Sequence, residues 1–308
     1  MKVAQVWQEV SSKLASEGIE DTLLEAELLL RQVLNVDRAK FHTEVGGELT
    51  NSELNKLKEL LTQRLTHKPS AYIRGSREFY GLEFYVDERV LIPRPETELL
   101  VERALEIAGL YASLSLSKGQ PDGNPPTIAD IGTGSGAIAV ALAVNLPQAR
   151  IYATDISEVA LEVAEINCKK HGVADRVKLL LGDLLTPLPQ PLDIIVANLP
   201  YVSDSELLNL APEVSQYEPR LALAGGADGL DYIRRLLDQA PGQLKPNGAL
   251  LLEVGTGQAE AVAELVRKRF SNVTIAADLA GIGRVVVGRL LDGTRNPPIS
   301  VDSQFQRD

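Results

Sequence analysis

The chain has 308 residues, 44% of them hydrophobic and 24% charged, and a net charge of −11. No stretch approaches the ~18 consecutive apolar residues a membrane span needs, and Met1-Lys2-Val3-Ala4-Gln5 leads into a patterned helix, not an apolar signal core. The single cysteine, Cys168, excludes an intrachain disulfide framework and fits a reducing compartment, so the expectation is a soluble, cytoplasmic protein.

Residues 1–75 read as a helical domain. Val3, Val6, Trp7, Val10 and Leu14 recur at one-face helical spacing. Leu23, Leu24, Leu28, Leu30 and Leu34 follow Asp21, and Thr50-Asn51-Ser52-Glu53 is a capping box before Leu54, Leu57, Leu61 and Leu65. Residues 76–95 change character: Glu78 to Val86 alternates and reads as a hairpin or extended connector. Helical periodicity returns from Glu96 to Leu110, and the Gly- and Pro-containing stretch Ser115 to Pro126 reads as a surface loop.

From Thr127 onward, short apolar runs alternate with helical segments. The predicted strands are Thr127–Ile131, Ile151–Thr154, Val177–Leu181, Asp193–Ala197, Ala249–Val254, Val273–Ala276 and Arg284–Gly288. Such alternation predicts an α/β domain over 96–291, an open and mainly parallel sheet with helices on both faces. Residues 292–308 read as a disordered tail.

Charge bears on partners. The first 75 residues hold 10 basic and 11 acidic side chains, which leaves 21 basic against 31 acidic for the remainder. A surface that acidic repels a phosphate backbone, so nucleic acid is a disfavoured substrate and a basic protein partner the easier match. Nothing in the pattern calls for more than a monomer.

Two segments carry chemistry. Asp130-Ile131-Gly132-Thr133-Gly134-Ser135-Gly136 stands where a predicted strand hands over to a helix, where glycines bring backbone amides against a ligand. Asp155 ends the next strand, placed to accept from both hydroxyls of a ribose. Gly132-x-Gly134-x-x-Ala137 also fits a dinucleotide-binding turn. Asp130 just before the glycines, where it can approach the methionine end, and the third glycine, Gly136, favour S-adenosylmethionine instead. A near-copy, Glu253-Val254-Gly255-Thr256-Gly257 with Asp278 downstream, has two glycines and is read as a structural turn.

The second segment is Asn198-Leu199-Pro200-Tyr201, after a buried strand. Methylating a planar nitrogen needs acceptors that orient the NH2 group, an aromatic or flat face, and an in-line methyl. The Asn198 side-chain oxygen and the Leu199 carbonyl supply acceptors, Pro200 stiffens the loop, and Tyr201 offers a face. His42, His67 and His171 show no metal spacing, so no metal site is expected.

With these residues the chain resembles the bacterial peptide chain release factor N5-glutamine methyltransferase family, over 5–290. Further segments carry the likeness: Pro69 to Gly75, Glu78-Phe79-Tyr80-Gly81, Leu91-Ile92-Pro93-Arg94-Pro95-Glu96-Thr97-Glu98, Tyr217 to Leu223, Gly226 to Leu230 and Asp278 to Gly281. The resemblance implies a Rossmann-like class I methyltransferase sheet of seven strands, with an amino-terminal helical bundle that helps grip the release factor. It implies S-adenosylmethionine, leaving as S-adenosylhomocysteine, held by Asp130, Gly132, Thr133, Gly134, Ser135, Gly136, Asp155, Ile156, Asp183, Leu184 and Asn198. Asn198 to Tyr201 would hold the glutamine of a Gly-Gly-Gln loop. The chain departs from the family pattern at Leu199, where a first proline is commoner, and at Leu184, where an aromatic often lies.

Two rival substrates share these motifs. A sister family methylates a ribosomal-protein glutamine, and Asn-Leu-Pro-Tyr also resembles the motif of ribosomal RNA adenine dimethylases. The latter begin near their glycine loop, whereas here Asp130 is preceded by a long helical and connector region.

Overall fold

The computed structural model describes residues 1–117, 125–189 and 191–290. Most of the loop expected at 115–126, and all of the tail expected at 292–308, lie outside the described residues.

Five helices open the chain: α1 (Val3–Ser16), α2 (Thr22–Leu34), α3 (Arg38–Glu44), α4 (Asn51–Leu65) and α5 (Ser70–Arg74). The capping box forms, with the Thr50 amide donating to Glu53 Oε2 at 2.7 Å and the Glu53 amide donating to Thr50 Oγ1 at 3.3 Å. Val6, Val10, Leu14, Leu29, Leu30, Phe41 and Leu61 bury against one another in a cluster of their own. The leucine face expected for α2 is corrected. Ala26, Leu29, Leu30 and Val33 point inward, while Leu23 and Leu24 are exposed. Leucines occupy every side of this helix, so their positions alone do not select the 26, 29, 30, 33 stripe that packs.

The connector is a hairpin of β1 (Ser76–Phe79) and β2 (Leu82–Tyr85), paired antiparallel. Tyr80 and Gly81 both take positive φ, 52° and 68°, the backbone a two-residue turn requires to match strand twist. Phe79 and Phe84 turn inward and join the core of the following domain.

That domain begins with a 3-10 turn, Pro95–Thr97, running into α6 (Glu98–Ser117), which continues past the expected stop at Leu110. Its sheet comprises β3 (Thr127–Ile131), β4 (Arg150–Asp155), β5 (Val177–Leu181), β6 (Leu192–Ala197), β7 (Leu244–Glu253), β8 (Ser271–Ala277) and β9 (Gly283–Arg289), in the order β5-β4-β3-β6-β7-β9-β8. The first five are parallel; β9 runs antiparallel to both β7 and β8. All seven predicted strands are present, each with ends shifted by a few residues at most except β7, which starts earlier at Leu244.

Helices cover both faces. Ile128, Ile194 and Val196 bury against α6, α7 (Ala137–Asn145) and α8 (Glu158–Lys170). Their neighbours Ala129, Ile131 and Ile195 face α11 (Asp231–Gln243) and α12 (Ala259–Arg267). Burial on both faces explains why these strands read as unbroken apolar runs. Between β6 and α11 lie the short helices α9 (Asp204–Leu207) and α10 (Pro212–Tyr217). The chain moves outward from β3 through β4 to β5, then returns to the other side of β3 as β6. That reversal opens a crevice at the carboxyl ends of β3 and β6. No helix among the described residues is long and apolar enough to cross a membrane.

Candidate active site

The two motif segments meet at the crevice. Parallel pairing sets Ile131 opposite Ala197, so the residues that follow, Gly132 and Asn198, leave their strands side by side. Gly132 has φ +72°, and a Cβ there would lie 3.3 Å from Leu199 Cδ2. Only glycine lets the first loop lie this close to the second. Amides of Gly132 and Thr133 both donate to the Thr154 carbonyl at 2.9 Å, folding the loop across the end of β4.

A pocket lies over these strand ends. Gly132, Gly134, Asp155, Ile156, Asp183, Leu184, Asn198, Leu199 and Pro200 all line it. Asp155 is its most directed polar group. Oδ2 accepts from the Gly134 amide and Oδ1 from the Ser157 amide, each at 2.9 Å. A carboxylate has about four acceptor directions, so capacity remains for a ligand. Burial raises the Asp155 pKa, while the amides of Ser157, Gly134 and Ile156 oppose the rise. Leu184 holds φ 50° with its carbonyl accepting from the buried Thr154 hydroxyl at 3.0 Å. Asp183 pairs with Arg235, whose guanidinium lies 5.5 Å from the Tyr232 ring centre.

Five expected site residues lie outside the pocket. Asp130 is wholly buried beneath the loop: its Oδ2 accepts from the Thr133 hydroxyl at 2.6 Å and the Ala139 amide at 3.1 Å. Burial pushes its carboxyl up to about 7, against those two donors and with the Asp155 charge. Thr133 is thereby a partner of Asp130. The Ser135 carbonyl accepts from Asn167 Nδ2 at 2.8 Å, and Asn167 also bonds the Tyr85 backbone in both directions, tying the hairpin to the glycine loop. Gly136 serves packing, since a Cβ there would stand 3.1 Å from that of Ala164 on α8. Tyr201 turns toward the second glycine loop, beside Glu253 and Gly255, and burial pushes its phenol up to about 12.

The near-copy loop does not line the pocket. Its Gly255 amide donates to Gln258 Oε1, and Gln258 Nε2 donates to the Tyr201 carbonyl, both at 2.9 Å. Asp278 is occupied by the amides of Ala280 and Ile282 and by Arg284. The second loop braces the Asn198–Tyr201 turn from behind.

Other residues at the site come from the segments around Leu91 and Tyr217. Leu91, from one segment, and Pro219, Leu221 and Ala222, from another, also line the pocket. Arg94 and Glu218 join these two segments at 2.7 and 2.8 Å. Asn198 Nδ2 donates to the buried Thr97 hydroxyl at 3.1 Å. Cys168 is buried and its thiol is pushed up to about 12 by burial, which keeps it unreactive. Among the described residues no group of three or more His, Cys, Asp or Glu gathers for a metal ion.

The PrmC N-terminal domain family matches residues 5–75, and the family described as ribosomal protein L11 methyltransferase (PrmA) matches 113–224. The chain is 42% identical to the release factor glutamine methyltransferase of Geobacter sulfurreducens, over 90% of this chain and 93% of that protein. It is likewise 42% identical to that of Moorella thermoacetica, over 92% and 97%. The chain belongs to the release factor glutamine methyltransferase family. As a member of that family it is a methyltransferase, and the expectations of family and fold both stand. Among solved structures, the catalytic domain of hMettl16 in complex with a MAT2A 3'UTR hairpin aligns with TM-score 0.54 at 16% identity, over 78% of this chain and 84% of that one. That likeness is one of fold.

Proposed function

We propose that this chain transfers a methyl group from S-adenosylmethionine to the side-chain amide nitrogen, N5, of the glutamine in the Gly-Gly-Gln motif of peptide chain release factors. It would act as a cytoplasmic monomer on a protein, with nucleic acid not a substrate. The observation that carries the reading is the state of Asn198. Its Nδ2 is committed to Thr97, which leaves Oδ1 as the acceptor the side chain offers, at the pocket that Gly132 and Asp155 line.

The residues fit the cofactor. Asp155 keeps acceptor capacity for a ribose diol, Gly132 and Gly134 present bare backbone, and Ile156 with Leu184 offers apolar surface for a base. When bound, S-adenosylmethionine supplies a methyl group bearing electrophilic carbon. The chain's own work is orientation. Asn198 Oδ1 and the Leu199 carbonyl accept the two N–H bonds of the substrate amide and fix its plane. They also favour electron density on nitrogen as positive charge grows there. Pro200 holds the turn, and the bundle of residues 1–75 grips the factor. No strong base is required, because an alkylated amide cation sheds its proton readily to water.

The test incubates the pure protein with methyl-labelled S-adenosylmethionine and either an unmodified release factor or a copy with the motif glutamine changed to alanine. Label in the first alone supports the reading. Label in both would move the acceptor elsewhere on the factor, and label in neither would turn attention to a ribosomal-protein glutamine, then to adenine.

A further inference from the structure

Glu253 ends β7 next to the Asn198 loop, 3% exposed, in the segment whose glycines do not line the candidate pocket. Its Oε2 has no hydrogen-bond partner among the described residues. A buried carboxylate with a spare lone pair is costly to keep unless its charge or its acceptor character is used. The Asn198 amide donates to the Thr97 hydroxyl at 3.1 Å, and these two side chains are the polar neighbours that hold the Glu253 carboxyl down.

The polarity of this chain has one fixed end. An asparagine amide presents oxygen or NH2 with almost the same shape, and a threonine hydroxyl either donates or accepts. Neither can set the direction alone. An ionised carboxylate only accepts. It obliges the Thr97 hydroxyl to donate toward it, which turns the Thr97 oxygen into the acceptor for Asn198 Nδ2 and leaves Asn198 Oδ1 for the pocket. Reversed, the amide would offer NH2 to the substrate NH2, two donors facing one another.

We infer that Glu253 is a positioning residue that, through Thr97, fixes the Asn198 side chain with its oxygen toward the substrate amide. The inference rests on the reaction proposed above. Glu253 is not among the residues that line the pocket; the direction of two hydrogen bonds is what it supplies. The groups facing it are Glu96 from the 3-10 turn, Arg284 from β9 and Tyr201 from the loop after β6. Burial, with Glu96 adding to it, raises its carboxyl to about 7, while Thr97, Arg284 and Asn198 hold it down. Protonation adds a donor to a group that could only accept, so the direction is no longer fixed and the arrangement should loosen as pH falls through that region.

Two readouts separate this inference from the reaction it rests on. The first needs no substrate: the side-chain NH2 resonances of Asn198, followed by 15N NMR in the free full-length protein. They should shift with a midpoint near pH 7 in the wild type and stay flat in Glu253→Gln. Resonances that are flat in the wild type, or that titrate alike in both, would overturn the proposal whatever the enzyme methylates. The second is steady-state transfer to the acceptor found active. Glu253→Gln should lower kcat roughly 10- to 100-fold, the scale seen when the partner of a working side chain is lost, and remove the fall in kcat on the acid side. KM for the acceptor and cofactor affinity should stay within about threefold. Thr97→Val should reproduce the loss and Thr97→Ser restore it. A Glu253→Gln enzyme with wild-type kcat and an intact acid limb would also overturn it.

Discussion

Arg64, on α4 of the amino-terminal bundle, pairs with Glu213 on α10, which leads into the segment that walls the pocket with Pro219, Leu221 and Ala222. Its guanidinium is only 2% exposed and also donates from Nε to Glu25 Oε2 at 2.7 Å. Nearby, the Tyr217 hydroxyl donates to the Thr66 carbonyl at 2.8 Å. The bundle is therefore fastened to a wall of the active site.

Removing the Arg64 charge leaves Glu25 and Glu213 facing each other without a cation. Glu25 and Glu213 keep partial access to water, so loss of the buried cation costs about 2 kcal/mol, below the figure for a fully buried pair. Arg64→Ala should lower unfolding stability by that amount in urea titration, and transfer to the protein substrate should fall more than affinity for S-adenosylhomocysteine. Equal losses in both would mean that the pair holds up the whole fold and does not specifically seat the wall.

The two glycine loops make opposite predictions. Gly136→Ala carries the strain of φ +79° and drives a Cβ to 3.1 Å from Ala164. Left-handed strain and overpacking together should cost about 2–4 kcal/mol. Gly257 has φ +83° with nothing within 4 Å of an added Cβ, so Gly257→Ala should cost about 1 kcal/mol. Calorimetric titration with S-adenosylhomocysteine should show Gly257→Ala binding like wild type. Loss of binding in a folded Gly257→Ala protein would transfer the cofactor to the second loop.

Much of this site was legible because its parts are local. Glycines after one strand, an acid ending the next, and Asn-x-Pro-Tyr two strands later are each set by a few adjacent residues, and parallel pairing of β3 with β6 brings them together. Pairings across the chain left no such mark. Thr97 and Glu253 neighbour Asn198 from segments far away in sequence, and no local pattern ties either of them to it. Asp130 shows the converse: its place before the glycines suggested a ligand contact, yet it is buried beneath the loop, where its Oδ2 accepts from Thr133 and Ala139. In α2 the failure was one of contrast, since leucines on every side conceal which stripe packs.

Asp155 is the direct test of the cofactor assignment. Asp155→Ala removes acceptors for two ligand hydroxyls, and a hydrogen bond to a charged group is worth about 1.5–3 kcal/mol. The dissociation constant for S-adenosylhomocysteine should rise roughly 10- to 100-fold. The Gly134 and Ser157 amides also lose their partner, so unfolding stability is measured beside it. A binding loss no larger than the population unfolded would sink the assignment of Asp155 to the ribose.

Asp130 gives the chain a pH dependence with a definite sign. Burial holds its carboxyl protonated up to about pH 7 in the fold, whereas the unfolded chain releases that proton near pH 4. Between those values the native state binds more protons than the unfolded state, so this group makes stability fall as pH rises from about 4 to about 7 and level off above. The full change is on the order of 4 kcal/mol. Asp130→Asn keeps an oxygen for the Ala139 amide and cannot ionise. Urea unfolding of both proteins from pH 4.5 to 7.5 should show the wild type losing stability relative to Asp130→Asn as pH rises. Other carboxyls, Glu253 among them, titrate in both proteins and cancel in the difference. Parallel stability curves would show that Asp130 already carries its charge at neutral pH, and its unpartnered Oδ1 would then need a donor from water or ligand.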